Sequence, residues 1–386
     1  MFSVHATVSG TAKAIMVVTC VKPGVHRADL ALGTMSPTRL PATPDTCFWG
    51  YLDADEPRVL SVAPGEAVTI EAVTHHSGDA PDLMMDDGLQ AIWDGIAPEA
   101  RTPGVHIMTG PIEVEGAKPG DTLRVELLSM SPRMPYGSNC AANWGLFHDR
   151  MGKERITIYE LVDPDPTVGF PTAARPIFGF DFTALDLYDL PGVISEPNRA
   201  EREPFGRAVQ VPVRPHLGVM GVAPEGGRLS SIPPGVFGGN VDNWRFGPGA
   251  TVYYPVFHEG AGFYVGDPHF AQGDGEICGT AIEASLDVTL RLSLVDDLPV
   301  AAPLLRTDTH WYTHGFSGGP EEGVDGLGTA MTMAAEQMLK LMVDKGGFTM
   351  DEAYSVASVA IDLGITQVVD GTVGCHAGIS HAILDH

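Results

Sequence analysis

The sequence has few cysteines, few basic residues and no long apolar segment. Its cysteines stand singly, without a CxxC pair, which argues against a disulfide framework and against a thiolate zinc site. The five of them are Cys20, Cys47, Cys140, Cys278 and Cys375. The longest apolar runs, such as Ala14–Val18, are far shorter than the roughly 20 residues that cross a bilayer. We therefore expect a cytoplasmic protein without a transmembrane helix.

Acidic residues outnumber basic ones, 49 Asp and Glu against 23 Lys and Arg, and the formal net charge is −26. Such a charge opposes binding to nucleic acid or to an anionic membrane surface, and it favours neutral or cationic small partners. The sequence also contains no phosphate-binding loop, so nucleotide binding has no support. We expect a small neutral ligand and neither a nucleic acid nor a membrane partner.

Glycine and proline are abundant, at 46 and 31 residues, and they separate short runs of alternating apolar character. This pattern is typical of β-sandwiches and barrels. A Pro-Gly turn followed by an alternating strand recurs at Ala63–Val73, Lys118–Leu128 and Gly247–Phe257. We predict an α+β, mainly β protein whose jelly-roll-like β-sandwich body covers residues 39–302, after a poorly ordered N-terminal extension over residues 1–38.

The last part of the chain has a different pattern. Leu327–Lys345 carries methionine, alanine and leucine at helical spacing, which predicts an amphipathic helix with a methionine-rich core face. Thr349 and Glu352 have the spacing of a capping box, so a second helix should begin near Met350. We predict a smaller α/β portion over residues 303–386 that packs on the body. The methionine-rich helix would also suit an interface, and we expect a homodimer or a higher homo-oligomer.

One glycine-rich segment, "YVGDPHFAQGDGEICGT" at Tyr264–Thr280, concentrates polar groups that could do chemistry. If two strands flank its turn, Asp267 and His269 share one face and Asp274 and Glu276 share another, and the turn brings the two pairs together. Carboxylates that lie close together repel unless a cation compensates. Imidazole with carboxylate suits zinc, with manganese or iron as alternatives, whereas calcium prefers oxygen ligands alone. The segment by itself fits a metal site and a solvated acidic turn equally well.

Other segments add candidate residues. Asn240 and Asp242 follow a glycine pair in "GGNVDN", where a backbone can approach a ligand closely, and His106 precedes a Gly-Pro turn. His376 lies in a glycine-rich C-terminal turn that could fold back over a site. The histidines of "THHSGD" and "THWYTHGF" fit a ligand pair, a pocket wall or a structural role. For each of these residues a structural role stays open.

Five segments, in this order, resemble the acetamidase/formamidase family: "GPIEVEGAKPGDTLRVELL", "PVRPHLGVMGVAP", "GGNVDN", "GPGATVYYPVFHEGAGFYVGDPHFAQGDGEICGTAIE" and "TQVVDGTVGCHAG". The resemblance implies a β-sandwich body, hydrolysis of short aliphatic amides to a carboxylate and ammonia, and a bound divalent metal such as zinc. It places the site at the polar residues of the two glycine-rich motifs. The segment "THHSGDAPDLMMDDG" departs from the family pattern, which leaves the substrate and the role of His75, His76 and Asp79 open.

On this resemblance we assign hypothetical roles. Asp242, Asp267 and His269 would hold the metal, and Glu276 or Asp274 would carry a proton from water to the leaving nitrogen. Asn240 or His106 would donate a hydrogen bond to the developing oxyanion, and His376 would contact the substrate. The alternatives are a metal-dependent hydrolase of a carbamate or a cyclic amide, and a non-catalytic module that binds calcium.

Overall fold

The computed structural model of the protein describes residues 37–162, 170–182, 201–319 and 322–385. The extension predicted over residues 1–38 lies outside this range except for its last two positions. The described strands are β1 (Thr38–Leu40), β2 (Cys47–Trp49), β3 (Tyr51–Leu52), β4 (Leu60–Val62), β5 (Ala67–Ala72), β6 (Ile107–Val114), β7 (Thr122–Pro132), β8 (Tyr136–Ala141), β9 (Glu154–Val162), β10 (Ala173–Phe182), β11 (Glu203–Pro204), β12 (Val211–Pro212), β13 (His216–Gly221), β14 (Leu229–Ser230), β15 (Gly238–Asn240), β16 (Thr251–Pro255), β17 (Ala261–His269), β18 (Leu286–Val295), β19 (Leu304–Arg306), β20 (His310–Phe316), β21 (Ile361–Ile365) and β22 (Gly374–Ser380).

Helices are fewer. The α-helices of the described residues are α1 (Pro81–Met84), α2 (Asp87–Gly95), α3 (His148–Met151), α4 (Leu327–Asp344), α5 (Met350–Ala360) and α6 (His381–Leu384). Short 3-10 helices cover His75–Asp79, Pro98–Ala100 and Gly323–Gly326. The prediction of an α+β, mainly β protein is confirmed, whereas the jelly-roll arrangement stays a prediction. No helix in the described part of the chain is both long and apolar enough to span a membrane.

The three predicted turn-and-strand units are present. Gly65, Gly120 and Gly249 have φ angles of +93°, +95° and +89°, which only glycine adopts without strain. The strands that follow, β5, β7 and β16, all belong to one nine-stranded sheet with the order β1-β5-β18-β7-β16-β19-β20-β22-β21. Each Pro-Gly turn therefore leads directly into a strand of the same sheet.

A second sheet carries the polar candidates. Its order is β15-β13-β17-β6-β2, with β4 beside β6, and β17 is its central strand, hydrogen-bonded to β13 and β6. One hydrophobic core joins the two sheets, with Val68 and Leu290 from the nine-stranded sheet and Ile112 and Val265 from the six-stranded sheet. Such burial on both sides holds the backbone of β17 in place. Smaller sheets, β11-β10-β9-β8 with β12 beside β10, and β14-β3, complete the described strands.

The C-terminal helices agree closely with the sequence. Helix α4 ends one residue before the predicted boundary, and the side that it buries includes Ala334, Met338 and Met342 against β20 and β22. Thr349 and Glu352 form the predicted capping box at the start of α5. The nine-stranded sheet contains strands from both sides of the predicted boundary between residues 302 and 303, since β16 pairs with β19. The predicted division at that point stays a prediction.

Candidate active site

Four of the predicted polar residues meet at one end of β17. Asp267 and His269 stand at the C-terminal end of that strand, separated by Pro268. Asp242 lies two positions after β15, which is separated from β17 by β13. Glu276 comes from the turn after β17. One ligand atom each from Asp242, His269 and Glu276 lies within 4.8 Å of the others, and the same holds for Asp267, His269 and Glu283. All of these side chains are buried. His269 belongs to both groups, so its imidazole lies between two pairs of carboxyl groups.

The backbone at this cluster is unusual. Asp242, Asp267 and Glu276 have φ angles of +51°, +49° and +49°, in the left-handed region that non-glycine residues seldom adopt. In the described residues, Ala261 is the one further non-glycine residue with positive φ. Such conformations persist where the surrounding structure forces them, and they concentrate at functional sites. Here they aim three carboxyl groups into one buried volume.

A glycine on the adjacent strand makes room for these groups. A Cβ atom at Gly218, on β13, would lie 2.6 Å from Asp242 Oδ1, from Asp267 Oδ2 and from the Cε1 atom of His269. Those distances are shorter than any normal contact. The three side chains therefore converge over Gly218, where β13 has no side chain to block them.

The two ring nitrogens of His269 have different partners. Nε2 lies 3.1 Å from Asp267 Oδ2 and 3.2 Å from Glu283 Oε2, whereas Nδ1 lies 3.0 Å from Nε2 of His216. His216 Nδ1 contacts the carbonyl oxygen of Arg214 at 2.7 Å, and a carbonyl can only accept. His216 Nε2 also lies 2.9 Å from Oε1 of Gln272, so the His216 ring is held through both of its nitrogens. Its contact with Nδ1 of His269 leaves the Nε2 atom of His269 directed toward the acids.

Burial and mutual repulsion shift the pKa values of the acids. Burial raises the pKa of Asp242 to about 7, with Asp267 adding to the increase. Burial and the nearby Asp242 also raise the pKa values of Glu276 and Asp370 well above their ordinary range. Burial alone would raise the pKa of Asp267, but His106 and His269 lower it well below the usual range. The cluster thus holds more negative charge than a buried site tolerates without protons or a cation.

The polar atoms of the cluster fit a cation. Both carboxyl oxygens of Asp242 are buried, and within the described residues their one hydrogen-bonding neighbour is the carboxyl group of Asp370, which is itself an acid. His106 Nδ1 lies 3.1 Å from both the carbonyl oxygen and Oγ of Ser231, and its Nε2 lies 3.6 Å from Asp267 Oδ2. A proton on that ring or a cation beside it would offset the negative charge of Asp267. The donor set of imidazole and carboxylate suits zinc better than calcium.

A cavity of about 480 Å³ opens over the cluster. The acids Asp242, Asp267, Glu276, Glu283 and Asp370 line it, together with Asn240 and three imidazoles, His75, His76 and His106. His75 is buried with no hydrogen bond on either ring nitrogen, and burial lowers its pKa well below the ordinary value. Burial would also lower the pKa of His76, but Asp79, with Oδ2 2.9 Å from Nδ1, raises it to about 9.

Two predicted residues lie elsewhere. Asp274 is half-exposed, and its Oδ1 accepts hydrogen bonds from Trp244 Nε1 at 2.8 Å and from Arg245 at 3.3 Å. The segment after β17 is a turn rather than a strand, so Asp274 and Glu276 do not share a face. His376 is buried on β22 against Tyr312, with ring centroids 5.2 Å apart. Neither Asp274 nor His376 lines the cavity.

Comparison with known proteins shows the family of this chain. The model of the acetamidase/formamidase family matches residues 48–229 and 222–386. The chain belongs to the acetamidase/formamidase family. Two relatives are an acetamidase of Mycolicibacterium smegmatis, 32% identical over 62% of this chain and 64% of that protein, and a formamidase of Methylophilus methylotrophus, 28% identical over 63% of each. The chain thus spans less than two thirds of the length of these relatives.

Solved structures agree on the fold of the family. An acetamidase from Bacillus halodurans superposes with a TM-score of 0.67 at 24% identity, over 90% of this chain and 98% of that one. Sequence reasoning missed three residues of the site, all within the residues that the family model matches: Glu283, Asp370 and His216. Glu283 and Asp370 occur in the segments "TAIE" and "QVVDG", where a single acid after an apolar run is the one local signal. Nothing local marks His216.

Proposed function

We propose that this chain hydrolyses the C–N bond of a carboxamide to a carboxylate and ammonia with the help of a divalent cation, zinc being the best fit. The observation that carries the proposal is the convergence of Asp242, Asp267, Glu276 and the imidazole of His269 in one buried cluster, whose three acids line a single cavity. Strained backbone at three of these four residues adds support, since a solvated acidic turn has no reason to maintain it. Membership of the family gives the reaction class.

Asp242, Asp267 and His269 would hold the cation, with Glu283 and His106 as further ligands because their polar atoms face Asp267 or His269. When bound, the cation supplies positive charge that polarises the amide carbonyl and acidifies water. His216 positions the His269 ring through its Nδ1 contact. An imidazole in the ligand set counts against the alternative of a calcium-binding module.

Glu276 is the proton carrier of the proposal. Its pKa is raised by burial and by Asp242, so its carboxylate is a stronger base than that of an exposed glutamate. We assign to Glu276 the transfer of a proton from water to the departing nitrogen. Asp274, which the sequence offered as the alternative, is bonded to Trp244 and Arg245 at the surface and has no access to the cavity.

Asn240 orients the substrate. Its Nδ2 donates to Asp370 Oδ2 at 3.1 Å, while its buried Oδ1 has no hydrogen bond within the described residues. That oxygen is suited to accept from the N–H of a substrate amide. Nε2 of His106 faces Asp267 Oδ2 at 3.6 Å, so we assign His106 to the cation. The oxyanion role that the sequence suggested for His106 stays a prediction.

Glu276→Gln tests the assignment. It keeps the size of the side chain and removes the transferable proton, so turnover of an amide should fall by about 10²- to 10⁴-fold while zinc content and thermal stability stay unchanged. The measurement is ammonia release from the purified chain, with zinc determined by mass spectrometry. Glu336→Gln, an exposed position on α4, is the matched control and should keep full turnover. A fully active Glu276→Gln variant would remove Glu276 from the mechanism.

The cytoplasmic location and the homo-oligomeric state stay predictions. A related proposal on the same residues is hydrolysis of a carbamate or a cyclic amide. A carbamate is tested in the ammonia assay, whereas a cyclic amide is tested by chromatography of the amino acid that ring opening forms, because its hydrolysis releases no ammonia. Chelation of the purified chain followed by zinc addition tests the cation, since activity should fall with zinc content and return with it.

A further inference from the structure

The cavity over the cluster is much larger than the smallest amides require. Its volume of about 480 Å³ is within the range of roughly 300 to 1,000 Å³ that is typical of sites for drug-sized ligands. Formamide or acetamide would fill a small part of that space and leave the rest to water. A site of this size favours a substrate with a bulky substituent beside its amide group.

The chemistry of the walls defines that substituent. Away from the acids and imidazoles, the lining includes the apolar side chains of Val105, Ile232, Pro233 and Val369 and the indole of Trp144. Val105 and Val369 are at most 9% exposed, so they form a fixed wall. These residues come from four separate segments of the chain. An apolar wall built from separate segments opposite a polar cluster is the usual arrangement of a site that binds an amphipathic small molecule.

Trp144 is held rigidly in that wall. Its Nε1 donates to the carbonyl oxygen of Gly279 at 3.0 Å. Gly279 has a φ of +113°, and a Cβ atom there would collide with the indole ring, so a glycine at this position is what lets the ring lie flat against the turn. A fixed aromatic ring offers a stacking surface to a planar apolar group.

The acidic residues of the lining disfavour an anionic substituent. The charged residues among the described lining are acids and imidazoles, and neither lysine nor arginine lines the cavity in the described part of the chain. An anionic substituent would face five carboxyl groups, while the imidazole of His76 is already paired with Asp79 at 2.9 Å. The lining thus fits a neutral, apolar group and disfavours a carboxylate or a phosphate.

We propose that the site takes neutral primary carboxamides with a bulky apolar acyl group, of the size of a phenylacetyl or hexanoyl group, in preference to formamide and acetamide. This rests on the proposed amide hydrolysis. Water adds to the acyl carbon and the C–N bond breaks, the nitrogen leaves with the proton that water gives up, and the products are the apolar carboxylate and ammonia. The amide lies at the acids and the acyl group lies against Trp144, Ile232 and Val369.

A panel of amides tests the preference. Ammonia release is measured for formamide, acetamide, butanamide, hexanamide and phenylacetamide. Burial of each additional methylene should raise kcat/KM by roughly fourfold, and phenylacetamide or hexanamide should be the best substrate. The highest kcat/KM for formamide or acetamide would overturn the preference and leave amide hydrolysis standing.

Binding is measured separately from turnover, so that the two proposals fail independently. Calorimetric titration of the zinc-loaded Glu276→Gln variant with phenylacetamide and with acetamide should give at least a tenfold lower Kd for phenylacetamide. If that preference holds but the unaltered chain releases no ammonia from any amide, the ligand class stands and the proposed function fails. Equal affinities would overturn the ligand class.

Ile232→Phe tests the wall. The larger ring should reduce the ratio of kcat/KM for phenylacetamide to that for acetamide by about tenfold, because it fills the space of the acyl group. Ile232→Ala enlarges the same space and should shift the optimum to longer acyl groups, and it serves if the larger side chain impairs folding. Val359→Phe, a position 86% exposed on α5, is the control that should leave the ratio unchanged. An unchanged ratio in both Ile232 variants would contradict the proposal.

Discussion

Replacing Gly218 with alanine should disable the site without disturbing the fold. The added Cβ would lie 2.6 Å from atoms of Asp242, Asp267 and His269, whereas ordinary contacts begin at 3.4 Å. Each of the three groups would therefore have to move by about 0.8 Å, the difference of those distances. The φ angle of Gly218 is outside the left-handed region, so the backbone itself accepts alanine and the effect comes from the side-chain clash alone.

Misplacement of reacting groups by about 1 Å is enough to cost roughly 10²-fold in rate. We expect a drop of that order in kcat/KM, together with a loss of bound zinc, and a decrease of about 1–3 kcal/mol in the free energy of unfolding from overpacking. The assays are ammonia release, zinc content and urea unfolding followed by circular dichroism.

Gly226→Ala is the matched control, because no atom lies within 4 Å of its added Cβ and its φ angle is also outside the left-handed region. It should retain turnover and zinc. The reasoning is refuted if Gly218→Ala retains full zinc content and full turnover, since the three side chains would then not depend on the space above Gly218.

Two further variants test the surroundings of the site and the body. His216→Leu removes the partner of His269 Nδ1 and should weaken zinc affinity by about 10- to 100-fold, measured by titrating the zinc-free chain; an unchanged affinity would show that the contact does not position the ring. Arg133→Met removes a 2.8 Å ion pair with Glu71, and burial would raise the pKa of Glu71 but Arg39 and Arg133 lower it. A glutamate whose pKa is lowered on folding stabilises the folded chain at pH values above its unfolded pKa of about 4.3. This stabilisation is lost as the pH falls. The destabilisation by Arg133→Met in urea should thus be larger at pH 7 than at pH 3, and a constant difference would contradict the pairing.

The elements that the sequence predicts well depend on neighbouring residues. A Pro-Gly turn, a helical stripe of methionine and a capping box are each read from fewer than twenty consecutive positions. The order of strands depends on contacts far apart in the chain, as in the 2.9 Å hydrogen bond between Thr69 and Thr289, which are 220 positions apart. No local pattern reports such a pairing, and the sheet order was not predictable for that reason.

The residues of the site likewise fall into those that local motifs predict and those that only tertiary structure brings to the cavity. Asp242, Asp267, His269 and Glu276 were predicted from the ordered motifs, and the structure brings them together. The alternation rule placed Asp274 beside Glu276, but the rule holds only in strands and this segment turns, so one side chain is exposed and the other buried. Glu283, Asp370 and the free imidazole of His75 reach the cavity through the packing of distant segments. Their position follows from tertiary structure and not from spacing.

The cavity draws its polar residues from almost the whole length of the chain, from His75 in the first 3-10 helix to Asp370 in the loop between β21 and β22. A ribosome must therefore have synthesised the chain past Asp370 before the cluster is complete. Bringing together residues so far apart in the chain costs conformational entropy before any contact is gained. Here the last contacts also bring acidic side chains close together, and their repulsion opposes this step of folding. A cation that neutralises them would favour this final step, so the supply of zinc in the cell would affect the yield of folded protein as well as its activity.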